Sequence, residues 1–187
     1  MRIIGGAFRG LKLAEVGEGD AEAQLRPTSD RVRESIFNLL INGTHGNPIP
    51  GARVLDLFAG TGALGLEALS RGSAEAVFVD NGFAALTLLK RNVGLMRAAE
   101  TTKTLRHDAR NMGANHGAPF GLVFLDPPYG KGLGELALAS CRAGGWLAPG
   151  AFVVWEEAAS PAPPVGFALL DQRRYGSTTI TLLRAQG

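Results

Sequence analysis

Four aspartates stand in or at the ends of four short apolar runs. Asp56 lies in Arg53-Val-Leu-Asp-Leu-Phe58, Asp80 closes Glu75-Ala-Val-Phe-Val-Asp80, Asp108 closes Lys103–Asp108, and Asp126 closes Gly121-Leu-Val-Phe-Leu-Asp126. In an open α/β sheet, ligands bind beyond the carboxyl ends of the strands. Acids at four consecutive strand ends therefore describe a ligand site rather than four unrelated turns. The most specific stretch is Asp126-Pro-Pro-Tyr129. Pro127 and Pro128 donate no backbone hydrogen bonds and hold the chain stiff, which leaves the loop carbonyls as free acceptors. A carboxylate and a carbonyl can grip the two N–H protons of an amino group and align its lone pair for attack on a methyl sulfonium. Tyr129 offers a ring face on which a planar base can stack.

The cofactor side of such a reaction is written in Val54–Ser70. Val54, Leu55 and Leu57 read as a buried strand, Gly60 and Gly62 as a tight turn, and Ala63–Ser70 as a helix. Gly60, Gly62 and Gly65 also spell G-x-G-x-x-G, with Asp80 twenty residues after Gly60, which is the dinucleotide fingerprint. Asp56 argues against a dinucleotide. A carboxylate inside a buried strand needs a partner, and a cationic ligand at the strand tip would supply one. S-adenosylmethionine carries an ammonium group and no pyrophosphate. Asp80 suits the two hydroxyls of its ribose. Asp108 suits the exocyclic amine of its adenine, or else caps a short turn before Ala109. The candidate cofactor-binding residues are Asp56, Phe58, Gly60, Gly62, Asp80, Asn81, Asp108 and Ala109, and the candidate catalytic residues are Asp126, Pro127, Pro128 and Tyr129.

The elements that position these residues alternate strand, helix, strand, which gives an α/β fold with a parallel sheet. Strands are expected at Val54–Phe58, Glu75–Asp80, Lys103–Asp108, Gly121–Asp126 and Ala151–Glu156. Ala168–Tyr175 and Thr178–Arg184 form a closing hairpin around Gly176. Helices are expected at Ala63–Ser70, Phe83–Met96 and Leu133–Arg142. Residues 1–42 differ from the rest. Arg2-Ile-Ile-Gly-Gly and Arg9-Gly-Leu-Lys-Leu read as a small hairpin, Glu15–Gln24 as a mobile loop, and Arg26–Ile41 as the start of a helix capped by Thr28 or Ser29. Val32, Ile36, Leu39 and Leu40 mark its apolar face, with Arg31 and Arg33 off it. Outside the acidic loop this region carries Arg2, Arg9, Lys12, Arg26, Arg31 and Arg33 against Asp30 and Glu34. That excess suits an arm contacting nucleic acid phosphates. The chain thus divides into residues 1–42 and a domain over 43–187; the arm has too little apolar surface for a core of its own, so the domain should survive deletion of residues 1–24.

Composition fits this outline. The 187 residues are 45% hydrophobic with a net charge of +2 and an isoelectric point of about 9.0. The single cysteine, Cys141, excludes an internal disulfide and suits a reducing, cytoplasmic setting. The three histidines are scattered without metal-ligand spacing, and no apolar run suggests a membrane span or leader.

Val54–Gly62 followed by Asp126-Pro-Pro-Tyr129 resembles the Rossmann-like methyltransferases that modify exocyclic amino groups. The N-terminal runs, Leu25-Arg-Pro-Thr-Ser-Asp-Arg-Val-Arg-Glu-Ser-Ile-Phe-Asn38 among them, and Leu57–Arg71 closely resemble the small-subunit rRNA methyltransferase D family. The likeness spans nearly the whole chain and is weakest after Pro149. It implies a seven-stranded class I methyltransferase sheet with a small N-terminal β-hairpin and helix extension. It also implies S-adenosylmethionine as cofactor and methylation of guanine N2 in 16S rRNA of an assembled or nearly assembled small subunit. Direct methyl transfer requires no metal, and a monomer is expected. By the same resemblance the hairpin and the Arg26–Arg33 region contact rRNA. One departure is Asn81-Gly82, where the family often carries a second acid after the ribose ligand. Other readings of the same residues are adenine-N6 methylation of DNA or RNA, a NAD-dependent oxidoreductase built on the glycine fingerprint, and an RNA-binding assembly factor.

Overall fold

The computed structural model describes residues 1–14 and 29–187. Its elements are α1 (Asp30–Asn42), β1 (Arg53–Leu57), α2 (Ala63–Ser70), β2 (Glu75–Asp80), α3 (Phe83–Leu95), β3 (Thr102–Arg106), β4 (Phe120–Leu125), α4 (Leu133–Ala143), β5 (Leu147–Glu157), β6 (Phe167–Tyr175) and β7 (Thr178–Ala185). They form one sheet of seven strands in the order β3-β2-β1-β4-β5-β7-β6. Strands β1 to β5 run parallel. Strand β7 runs antiparallel between β5 and β6. This is the Rossmann-like class I methyltransferase fold, and the antiparallel β7 sets it apart from the 3-2-1-4-5-6 order of dinucleotide-binding sheets.

The central strands are apolar on both faces because helices cover both. Val54, Phe78, Leu122 and Phe124 meet α1, α2 and α3 on one side. Leu55, Val79, Val123, Leu125 and Trp155 meet α4 on the other. Ser29 caps α1 by accepting from Val32 N–H at 3.2 Å, as expected; Thr28, the other candidate cap, lies outside the described residues.

The N-terminal segment departs from the expectation of a detachable arm. Met1–Ile3 and Leu11–Leu13 do pair antiparallel, through Ile3 N–H to Leu11 O at 2.9 Å and Leu13 N–H to Met1 O at 3.1 Å. This hairpin lies along α2 instead of standing free. Ile3 and Leu13 are buried in the main core. Glu67, fully buried on α2, accepts from Ile4 N–H and Gly5 N–H, each at 2.8 Å, and from Arg71 Nε at 2.8 Å. Ser70 Oγ accepts from Phe8 N–H at 3.0 Å. The approach is so close that a Cβ on Gly6, at φ +76°, would lie 1.8 Å from Ser70 O.

Arg33 is a second correction. Expected on the surface as an RNA contact, it is fully buried. Helix α1 turns Arg33, Ile36, Phe37 and Leu40 inward, and Val32 is only half-buried. The guanidinium donates to Arg2 O and, at 2.8 Å, to Asp30 Oδ1, and its Nε lies 3.8 Å from Glu67 Oε2. A buried cation requires a partner, and the carboxylate of Glu67 draws it inside.

Candidate active site

Strand β1 delivers the chain into the turn Phe58–Gly62 at the carboxyl end of the sheet. Phe58 takes φ 58°, a left-handed value that is costly for a bulky residue and that accumulates at functional sites. Gly60 and Gly62 are left-handed too. At Gly62, φ 78°, a side chain would be strained, and its Cβ would lie 2.4 Å from Leu89 Cδ1, which would have to move. Asp80, at the tip of β2, clamps two loops with its two oxygens. It accepts from Gly60 N–H and from Gly82 N–H, each at 2.8 Å. Asn81 is exposed beside it. Among the described residues, the turn's hydrogen-bond partners include Asp80, Val79, Asn92 and Met1, with no basic side chain among them.

Two residues at this turn were not singled out from the sequence. Asn92, fully buried on α3, donates to Thr61 O at 2.9 Å and to Ala14 O at 3.1 Å, and accepts from Ala14 N–H at 2.7 Å. It ties the end of the hairpin to the glycine turn. A polar residue directly after Lys90 and Arg91 reads as part of a solvated face and gives little sign of this in sequence. Phe83 follows Asn81-Gly82 and is 78% exposed, an apolar ring standing in solvent beside Asp80.

Asp56 is placed differently from expectation. It is 1% exposed and accepts from Gly65 N–H at 2.9 Å, so its partner is the first turn of α2 and no cationic ligand is needed to satisfy it. Gly62 has no side chain to cap that helix, and Asp56 reaches across from β1 to do so. Burial pushes its carboxyl up to about 8 despite the Gly65 bond. The folded protein thus holds a proton that the unfolded chain releases above its ordinary carboxyl range. This contribution to stability is full below about pH 4, declines as pH rises, and is gone near pH 8. Asp56→Asn, which keeps an acceptor for Gly65 and cannot ionise, should melt close to wild type at pH 4.5. At pH 8 it should melt several degrees higher, a gain of at least about 1 kcal/mol. Melting temperatures across that range check this; a constant difference at every pH would contradict it.

Asp108 sits two residues beyond β3. It caps the short 3-10 turn Ala109–Asn111 through Arg110 N–H at 2.9 Å, the capping alternative considered above, and Ala109 is buried behind it. Its oxygens also meet the Arg110 guanidinium at 2.9, 3.0 and 2.6 Å. That pairing holds its carboxyl below the usual range.

Asp126 leaves the tip of β4 beside the end of β1, where the glycine turn begins: its N–H donates to Leu57 O at 3.4 Å. Asp126 and Tyr129 are half-buried, Pro127 is buried and Pro128 is exposed. The Tyr129 hydroxyl donates to Glu156 Oε1 at 2.7 Å and lies 3.4 Å from Thr178 Oγ1. Desolvation, with Glu156 and Asp126 nearby, pushes the phenol well above its ordinary range. Gly130 N–H donates to Glu157 Oε1 at 3.1 Å.

The candidate RNA contacts Arg2, Arg9, Lys12 and Arg31 are exposed. Arg2, Arg9 and Arg31 line one shallow depression with Asp30 and Glu34. Met1 and Ala14 reach the glycine turn while Phe8 reaches Ser70 at the other end of α2. Arg26 lies outside the described residues. Among the described residues no group of His, Cys, Asp and Glu could hold a metal ion, and no helix is long and apolar enough to cross a membrane.

The chain is 38% identical over 192 aligned residues to the ribosomal RNA small subunit methyltransferase D of Escherichia coli K12, covering all of this chain and 92% of that protein. It is 34% identical to the protein of the same name from Haemophilus influenzae, over 97% of this chain and 92% of that one. Among solved structures it is similar to the Escherichia coli protein yhhF, a candidate methyltransferase. That match has 36% identity and a TM-score of 0.83, over 100% of this chain and 98% of that one. The family described as conserved hypothetical protein 95 matches residues 1–184. With a methyltransferase sheet, a left-handed glycine turn and an Asp-Pro-Pro-Tyr loop at one sheet end, the chain belongs to that family.

Proposed function

We propose that the protein transfers a methyl group from S-adenosylmethionine to the exocyclic N2 of a guanine in the 16S rRNA of the small ribosomal subunit. The observation that carries this is the hydrogen bond from Asp126 N–H to Leu57 O. It sets a loop suited to an amino group directly against a turn suited to the cofactor.

The residues present fit that cofactor. The start of α2, where Gly62 brings no side chain and Asp56 takes up only the Gly65 N–H, and a carboxylate clamp at Asp80 surround the turn, and among the described residues the partners named above include no basic side chain. This suits hydroxyls and an amino acid moiety better than a pyrophosphate. Each Asp80 oxygen has a second acceptor site for a ribose hydroxyl. The N–H groups at the start of α2 suit a carboxylate. Phe83 offers a face to an adenine ring. When bound, the cofactor supplies a methyl group on a sulfonium, ready for direct transfer.

Asp126 accepts from the amino N–H of the target base and, with a loop carbonyl, orients its lone pair. Tyr129 stacks on the base, which must leave its own stack to arrive. The protein contributes chiefly positioning. Arg2, Lys12, Arg31 and Arg9 supply phosphate contacts, with Arg26 a further candidate. The choice of rRNA and of the small subunit rests on the names of the relatives. A monomer acting on assembled subunits in the cytoplasm completes the reading.

The test is an acceptor assay. Protein and methyl-labelled S-adenosylmethionine are mixed with unmodified small subunits, free 16S rRNA or duplex DNA. Label should enter small subunits. Label in DNA alone would replace this reading with the adenine-N6 one.

A further inference from the structure

We propose that Glu156 is the positioning residue for the acceptor loop, and that the Tyr129 hydroxyl serves this anchor and not the substrate. The inference rests on the reading of Asp126–Tyr129 as the loop that receives the base.

Strands β4 and β5 pair in parallel with Leu125 opposite Trp155. The next residues, Asp126 just past the end of β4 and Glu156 among the last paired residues of β5, therefore stand on neighbouring stretches of chain. Glu156 is 4% exposed. A carboxylate there bears a desolvation cost that an apolar residue would not. It holds the loop: the Tyr129 hydroxyl donates to Oε1 at 2.7 Å, a well-formed O–H···O bond. Thr178, at the start of β7, closes from the other side at 3.4 Å. The neighbouring carboxylate, Glu157, accepts from Gly130 N–H at 3.1 Å and from Ala158 N–H at 2.8 Å. The loop is held at the tip of Tyr129 and again in the backbone after it, and Pro127 and Pro128 stiffen the chain before it.

The hydroxyl has a single proton, and that proton is given to Glu156. The part of Tyr129 left for a base is the ring. A tyrosine pinned at its oxygen keeps one χ1 rotamer, so the long axis of the ring is fixed before the base arrives. Released from Glu156, the ring samples other rotamers and the base loses its platform. Affinity for RNA, set mainly by phosphate contacts, should not change. The loss should fall on turnover.

The experiment compares Tyr129→Phe, Glu156→Gln, Glu156→Leu and the double variant Tyr129→Phe/Glu156→Leu. Each is measured for kcat and KM on small subunits, S-adenosylhomocysteine binding and melting temperature. Tyr129→Phe and Glu156→Leu should each lower kcat about 10- to 100-fold, with KM within about twofold. Glu156→Gln, whose amide oxygen still accepts, should retain most of the activity. The double variant should be no slower than the singles, because both break one bond. Tyr129→Phe carries the test even if Glu156→Leu fails to fold. If the wild type is active and Tyr129→Ala is not, but Tyr129→Phe and Glu156→Leu both turn over normally, this inference fails and the proposed function stands. Additive losses, or losses that track melting temperature, overturn it as well. If the wild type methylates no subunit, the proposed function fails and this inference falls with it.

Discussion

Asp126→Ala is expected to slow methyl transfer by about 30- to 1000-fold, or about 2–4 kcal/mol of barrier, with cofactor affinity unchanged. The side chain is half-buried at the tip of β4, where alanine removes the acceptor for an amino N–H and leaves the lone pair unaligned. The link to the cofactor turn survives, because the bond to Leu57 O comes from the backbone of residue 126. The glycine turn and Asp80 therefore stay in place. Single-turnover rates at saturating subunits, with calorimetry for S-adenosylhomocysteine, separate the two effects. Near-normal turnover would place the amino group elsewhere, and a parallel loss of cofactor binding would make Asp126 a cofactor ligand.

Glu67→Ala should be the most destabilising single change outside the apolar core. It removes the acceptor for Ile4 N–H, Gly5 N–H and Arg71 Nε and leaves the fully buried Arg33 without its nearest buried carboxylate. Breaking a buried pair from one side costs about 3–5 kcal/mol, which for a domain of this size lowers the melting temperature by about 10 °C. Removing both charges together, as Glu67→Leu with Arg33→Met, should recover part of that loss. Thermal denaturation of the two variants checks this. A Glu67→Ala protein that melts within about 2 °C of wild type would mean that the hairpin holds to α2 by apolar contacts alone. The same network predicts that deleting the hairpin costs stability, because the deletion strips Ile3 and Leu13 from the core and exposes Glu67.

The centre of the sheet was legible because β1, β2 and β4 are apolar on both faces, so the runs ending at Asp80 and Asp126 stand out without any partner being known. Strand β5 was read too short. Pro149-Gly150 looks like a turn, yet the strand begins at Leu147 and absorbs those residues where its register against Phe120 and Leu122 shifts. The reading of Arg33 failed for a reason local patterns cannot mend: an arginine beside an apolar stripe reads as solvated, and the carboxylate that draws it inward is on another helix. Asp56 was read as buried, and it is; its partner within the fold, Gly65 N–H, was not legible, because the reach of its carboxylate is a property of the folded turn. Glu156 was legible in principle, since it lies at the end of an apolar strand as the aspartates do. What the pattern could not disclose is that it faces Tyr129.

The most direct measurement is the identity of the modified nucleoside. Small subunits lacking the modification are incubated with the protein and methyl-labelled S-adenosylmethionine, and their 16S rRNA is digested and resolved by mass. The account predicts one labelled species, N2-methylguanosine, absent with Asp126→Ala. Label on N6 of adenine, or none in rRNA while the protein binds S-adenosylhomocysteine, would contradict it.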